Sequence, residues 1–402
     1  MRAPSFSRNV GVLALCQALF FMANTVVIST SGLVGLQQAP SPALATLPLG
    51  VQFVGTMFAT MPASFLMQRI GRRGGLLFGT LFGVASGVLG WWAIMQASFF
   101  LFCLSGVLYG TFSAFCQYFR FAAADAADAS RLADPAAGRA KAIAWVMAGG
   151  IVAAVLGPEL AKATRELWAP VLFAGCYAAI AVIAALAGLA LACLDLPHAR
   201  PAAGASGGRP LALILRQPAI VTAFVAALVG YVTMNLLMTA TPLAMIACGH
   251  DFADSAFVIQ WHVLGMFVPS FATGHLIARF GAQRIIAAGV LVNFACVAVN
   301  LTGLEVLHFA SGLFLLGVGW NFMFIGGTTL LTACHLPAEK AKVQGLNDLL
   351  MFTLVGASAT SAGALHHLLG WQLMNLAAVP ALLLVLVVLF LRRSRPVAAA
   401  AV

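Results

Sequence analysis

Apolar runs of about twenty residues or more recur along the chain, separated by short polar breaks. Twelve such runs are visible, at about 10–35, 47–68, 74–95, 98–121, 141–163, 168–194, 218–244, 253–277, 283–303, 307–333, 341–364 and 370–391. A helix of that length crosses a hydrocarbon core of roughly 30 Å. The pattern therefore predicts an all-α integral membrane protein with twelve transmembrane helices. The first run is too long for the core of a secretory leader and reads as a retained first span.

Composition agrees with the pattern. Of 402 residues, 62% are hydrophobic and only 8% charged, with mean hydropathy +1.00, so most of the surface must face lipid. The net charge of +10 would suggest a nucleic-acid partner if it were clustered on one face. It is distributed by loop instead. With the N-terminus inside, the inner breaks hold 19 of the 21 basic residues, among them Arg2, Arg69, Arg72, Arg73, Arg131, Arg200, Arg279, Arg392, Arg393 and Arg395. The outer breaks hold only Lys162 and Arg165. That bias predicts both termini in the cytoplasm of a bacterial-type inner membrane, with lipid as the partner and no nucleic acid. The eight cysteines lie mostly inside spans, and no disulfide framework is visible.

After the sixth run, "DLPHARPAAGASGGRPLALILRQP" reads as a cytoplasmic linker. It divides the chain into bundles at 1–195 and 218–402, with the linker at 196–217. The halves share a local pattern: "SFLMQRIGRRGG" follows the second run and "GHLIARFGAQRI" the eighth, with Arg69 matching Arg279 and Gly71 matching Gly281 at an offset of 210. Parallel repeats of this kind place a binding site at their interface, near the bilayer midplane. The chain here resembles the major facilitator superfamily, whose loop motif is Gly-x-x-x-Asp-Arg-x-Gly-Arg-Arg. Arg69, Gly71, Arg72 and Arg73 match the first copy and Gly274, Arg279 and Gly281 the second. Ser64, Gln68 and Ala278 depart from it, removing both acids. The resemblance implies two six-helix bundles, secondary transport by alternating access, and loops that govern closure.

Chemistry concentrates in the seventh and eighth runs. Met234 and Met238 share one helix face, as do His262 and Met266. Chance alone supplies roughly 0.5 Met-x-x-x-Met pairs in such a chain, and thioethers are ordinary core filler. Depth strengthens the combination: Met238 and His262 fall roughly 10–14 Å below the outer surface, and Met234 and Met266 roughly 15–20 Å, at 1.5 Å of rise per residue. A buried imidazole also needs a reason to sit in a membrane. Three thioethers and an imidazole form a soft, neutral donor set suited to Cu(I), with Cys248 in the outer turn as a collecting ligand.

At these residues, and at "TPLAM", "IQWH", "QYFRFAAAD", "GWNFMFIGG" and "QGLND", the chain is similar to the CcoA-type copper importers and their riboflavin-transporting relatives. That resemblance implies copper import for cytochrome oxidase assembly, handled by Met234, Met238, His262 and Met266 and passed to a cytoplasmic copper acceptor. Copper would be cargo, with no prosthetic group. The alternative is riboflavin or a similar organic molecule, held by Trp261 and Trp320 through stacking and by Asn24 and Asn321 through hydrogen bonds. Arg120 and Asp348, charged residues near the inner ends of their spans, form a candidate inner gate. No phosphate-binding Gly-x-x-x-x-Gly-Lys loop and no hydrolase motif is present, so neither ATP use nor enzymatic chemistry is expected.

Overall fold

The structure is a computed structural model that describes residues 6–130, 135–196, 208–336 and 339–391. Half of the expected linker, and Arg2, Arg131, Arg200, Arg392, Arg393 and Arg395, lie outside the described residues. Thirteen α-helices make up most of the rest: α1 Phe6–Gln38, α2 Leu47–Met95, α3 Phe99–Cys116, α4 Phe119–Ala129, α5 Pro135–Thr164, α6 Ala174–Ala192, α7 Leu211–Ile214, α8 Pro218–Ala247, α9 Phe252–Phe267, α10 Ser270–Phe280, α11 Ala282–Thr302, α12 Val306–Ala333 and α13 Lys340–Leu391. Helices are the expected solution in lipid, where each backbone polar group needs a partner within its own segment.

Ten of these stretches are long and apolar enough to cross a membrane. Two of the ten are about twice the needed length, and each is broken by a glycine with positive φ: Gly71 (φ 82°) in α2 and Gly370 (φ 71°) in α13. Counting these as two crossings each gives the twelve expected. Gly281 has φ 86°, so the two members of the sequence repeat adopt the same turn, one that other residues enter only with strain. The sixth crossing starts at Ala174, later than the expected 168. Pro170 has no N–H to donate and disfavours helical geometry in the residue before it, so this apolar stretch is a loop at the membrane edge.

Glycines let the helices approach closely. A Cβ on Gly110 of α3 would run into the carbonyl oxygen of Gln52 on α2, and one on Gly317 of α12 would lie 2.5 Å from the carbonyl oxygen of His262 on α9. Small residues at such crossings are how membrane helices gain contact, since lipid provides no hydrophobic drive between them.

The halves meet at the end away from the basic loops. Thr46 Oγ1, before α2, donates to the carbonyl of Thr360 on α13 (3.1 Å) and accepts from Gly363 N (2.9 Å). Phe173 packs edge-on against Phe252 with centroids 5.2 Å apart, and Arg165 lies over both rings. Deeper, Phe21 of α1 meets Phe267 of α9 at 5.2 Å. At the basic end, α4 packs on α1 and α5, and α10 on α9, α11 and α12, each within its own half. The protein is closed at one end and open at the basic end.

The repeat loops pair within their own halves in this state. Arg72 Nε donates to Asp125 Oδ2 on α4 at 2.9 Å, and its guanidinium sits 5.7 Å from the Tyr118 centroid. Arg73 donates to the carbonyl of Ala192 at 2.6 Å. Asp125 thus supplies the acid that Gln68 lacks, from a helix more than fifty residues away. Arg69 is exposed, and Arg279 lies over the ring of Phe280.

A second clamp sits between α12 and α13. Arg209 donates Nε to Glu339 Oε1 (2.7 Å) and Nη2 to Oε2 (2.8 Å), and the backbone N–H groups of Arg209 and Leu336 complete the shell. The guanidinium first, and then the Leu336 N–H, hold the buried Glu339 carboxyl well below the usual carboxylate range. A depressed carboxylate contributes stability that is present above its unfolded pKa of about 4.3 and lost as pH falls through the folded value. Glu339→Gln should therefore lower the melting temperature in detergent by a few degrees. The gap from the parent should stay flat from pH 8 to about 5 and narrow only in stronger acid.

Candidate functional site

A cavity of about 210 Å³ lies between the halves and opens toward the basic end. From the second half come Tyr231 on α8 and Trp320 and Phe324 on α12. Trp320 and Phe324 stack at 5.0 Å with 9° between planes, and Tyr231 meets each edge-on at 5.6 Å. The thioethers of Met234, Met238 and Met266 extend this wall. Trp320 is 8% exposed, and its Nε1–H is buried without an acceptor.

From the first half come the amides Asn24, Gln52 and Gln117, together with Ser113. Arg120 stands with them where the fourth crossing nears the basic end, the one charged lining side chain among the described residues. The first half also contributes Phe20, Phe21, Phe53 and Met147, so the slot sets several amides beside a tight aromatic cluster within a largely apolar lining. Asn235, though it lines the cavity, spends its amide on Val355 O (3.3 Å) and Ser358 Oγ (2.9 Å), joining α8 to α13.

Of the candidate residues, Met234, Met238, Met266, Asn24 and Trp320 line the cavity. His262 does not. Its ring is fully buried against α12, with Nδ1 2.8 Å from the carbonyl oxygen of Leu313 and Nε2 unpartnered. Gly265 and Gly317 explain this placement: they bring α9 and α12 into backbone contact, and His262 shares the face of α9 that carries Gly265. Cys248 is exposed at the C-terminal cap of α8, remote from the cavity.

Trp261 is 42% exposed and packs on Phe257 and Phe314, on a face of α9 that points away from the cavity. Asn321 is fully buried but structural. Its Nδ2 donates to Met266 O (2.7 Å) and Ser270 Oγ (2.6 Å), while Oδ1 accepts from Thr273 Oγ1 (2.6 Å). It satisfies polar groups at the α9–α10 break beside Pro269, where the helix ladder is interrupted. Arg120 has its guanidinium 4.9 Å from the Phe121 centroid, and Asp348 accepts from Asn347 Nδ2 at 3.3 Å. Both side chains are exposed, and no ion pair joins them in this state. Gln52, Gln117, Tyr231 and Phe324 were not singled out by sequence reasoning. An amide inside an apolar span was the available signal for the first two.

Among the described residues no group of three or more His, Cys, Asp or Glu converges to hold a metal. The lining offers four thioethers, those of Met147, Met234, Met238 and Met266, as soft donors and no imidazole, thiolate or carboxylate.

Twelve crossings around a central slot, closed at one end and open at the other, define a secondary transporter. The chain belongs to the Major Facilitator Superfamily, whose family profile matches residues 13–360. It is 43% identical over 393 residues, 97% of each chain, to a Brucella anthropi protein named riboflavin transporter RfnT. It is also 29% identical to an uncharacterized Bacillus subtilis transporter of the same type, YdeG, over 90% of this chain and 86% of that one. Among solved structures, the nucleoside transporter NupG superposes with a TM-score of 0.76 at 11% identity, covering 96% of this chain and all of that one. A bacterial homolog of the human lysosomal transporter Spinster, in an inward-facing and occupied conformation, gives 0.69 at 17% identity over 96% of both chains. At those identities the structural matches establish the fold.

Proposed function

We propose that this protein carries riboflavin, or a flat aromatic compound closely similar to it, across a bacterial inner membrane. The observation that carries the reading is a largely apolar cavity in which an aromatic cluster and several amides face one space. A flavin is a planar aromatic ring with a carbonyl- and imide-bearing edge and a hydroxylated side chain. The Tyr231–Trp320–Phe324 wall and its thioethers suit the ring, and Asn24, Gln52 and Gln117 suit the polar edge. The Brucella relative named for riboflavin transport supports the same cargo.

Copper is the second reading, favoured by the four thioethers in the cavity lining. The position of His262, turned to the Leu313 carbonyl and outside the cavity lining, speaks against it. A riboflavin auxotroph that lacks its own importer tests the proposal. Expression of this chain should restore growth on micromolar riboflavin without raising cell copper. Copper accumulation without growth rescue would reverse the assignment.

The excess of basic residues at the open end supports a cytoplasmic position for that end, which makes the described state an inward-facing one. Opening outward requires the basic ends of the two halves to close, bringing Arg120 toward Asp348 as an inner gate. Asp348→Arg should then lower the initial uptake rate about tenfold through like-charge repulsion, and adding Arg120→Asp should recover part of it. Equal rates in the parent and the Asp348→Arg variant would remove the gate.

A further inference from the structure

Behind the first-half wall of the cavity lies a second, much smaller void of about 10 Å³, lined by first-half residues alone. Gln52 lines both spaces. It is 4% exposed, and its Oε1 is buried with no hydrogen-bond partner. Tyr109, which also lines the void, is 1% exposed, and its hydroxyl is likewise unpartnered. Two orphaned polar atoms beside one pocket are costly in a membrane interior, where an unmet hydrogen bond loses about 1–3 kcal/mol.

The void has about the smallest volume that admits one water molecule, whose site needs roughly 10–15 Å³ and two to four polar partners. Those partners are present. Besides Gln52 Oε1 and the Tyr109 hydroxyl, Tyr177 and Ser31 border the void as a 2.6 Å hydroxyl pair. Ser86 and Ser105 donate to backbone carbonyls, which leaves their oxygens free to accept. No charged side chain lines the void, so a neutral ligand fits it and a cation does not.

We infer that a single water molecule occupies this void, bonded to Tyr109 and Gln52, and locks Gln52 as a hydrogen-bond donor facing the transported molecule. The water satisfies the amide oxygen from behind, which turns the Gln52 NH₂ group toward the cavity. The backbone beneath is already fixed: the Gln52 carbonyl accepts from Thr56 Oγ1 at 3.0 Å and packs against Gly110 without room for a Cβ. Gln52 then contacts a carbonyl on the polar edge of the cargo. Tyr109 is a positioning residue that acts through the water. This inference rests on the reading of the cavity as a riboflavin site.

Initial-rate uptake of riboflavin in cells, with the amount of protein in the membrane measured in parallel, tests it. Gln52→Leu should raise KM about tenfold, the loss of one well-placed hydrogen bond. Tyr109→Phe should raise KM about three- to tenfold with Vmax within about twofold, since only the bound geometry of Gln52 changes. In the Gln52→Leu background, Tyr109→Phe should have no further effect on KM, because the group it positions is gone. Unchanged KM in Tyr109→Phe, or KM effects that multiply in the double variant, would overturn the inference while leaving riboflavin transport intact. A parent protein that takes up no riboflavin would instead defeat the cargo assignment, and this inference with it.

Discussion

Trp320→Ala should lower riboflavin uptake at subsaturating concentration by roughly 10–100-fold, because stacking of a heterocycle on an aromatic side chain is worth about 1–3 kcal/mol and each 1.4 kcal/mol is a factor of ten. Trp320 is the hub of its wall, stacked on Phe324 and touched edge-on by Tyr231. Removing the indole takes away the largest flat surface in the slot and leaves its neighbours unsupported. Truncating a buried Trp also threatens folding by about 3–5 kcal/mol, so the amount of protein in the membrane must be measured alongside. Trp320→Phe separates the two effects. It keeps a smaller aromatic face and loses an unpartnered N–H, so uptake should fall no more than a few-fold. Equal losses in both variants would mean that stacking is not what Trp320 provides.

Gly50→Leu should reduce transport at least about tenfold by a different route, wedging open the closed end; a few kcal/mol of steric cost suffices to invert a two-state equilibrium. Gly50 on α2 faces α13 across the interface of the halves. A Cβ there would overlap Thr360 Oγ1 and lie 2.8 Å from Thr360 Cβ and 3.0 Å from its Cα. The contact joins the halves only where they meet, so each bundle should fold and insert without it. Gly50→Ala should show the same defect in milder form, and Thr360→Gly should restore part of it by clearing the opposing atoms. Full activity in Gly50→Leu would show that α2 and α13 need not approach this closely during the cycle.

The crossings were readable from sequence because membrane insertion depends on summed hydrophobicity, which survives any error about helix orientation. The shared turn of Gly71 and Gly281 was readable because the sequence repeats it at a fixed offset. Which face each helix turns inward was much less so. When every face of a helix is apolar, periodicity carries little information about the core side. Trp261 and Trp320 looked equivalent in sequence, yet one borders lipid and the other the cavity. His262 kept its spacing to Met266, but the glycine-mediated approach of α9 to α12 fixed where it points. Asp125 as the partner of Arg72, and Tyr109 behind Gln52, depend on contacts between segments more than fifty residues apart. No local pattern encodes them.

Counterflow with the purified protein in liposomes tests the assignment of cargo most directly. Vesicles loaded with unlabelled riboflavin should transiently accumulate labelled riboflavin above the outside concentration, with no copper entering in a parallel assay. Copper entry into vesicles that fail to exchange riboflavin would contradict it.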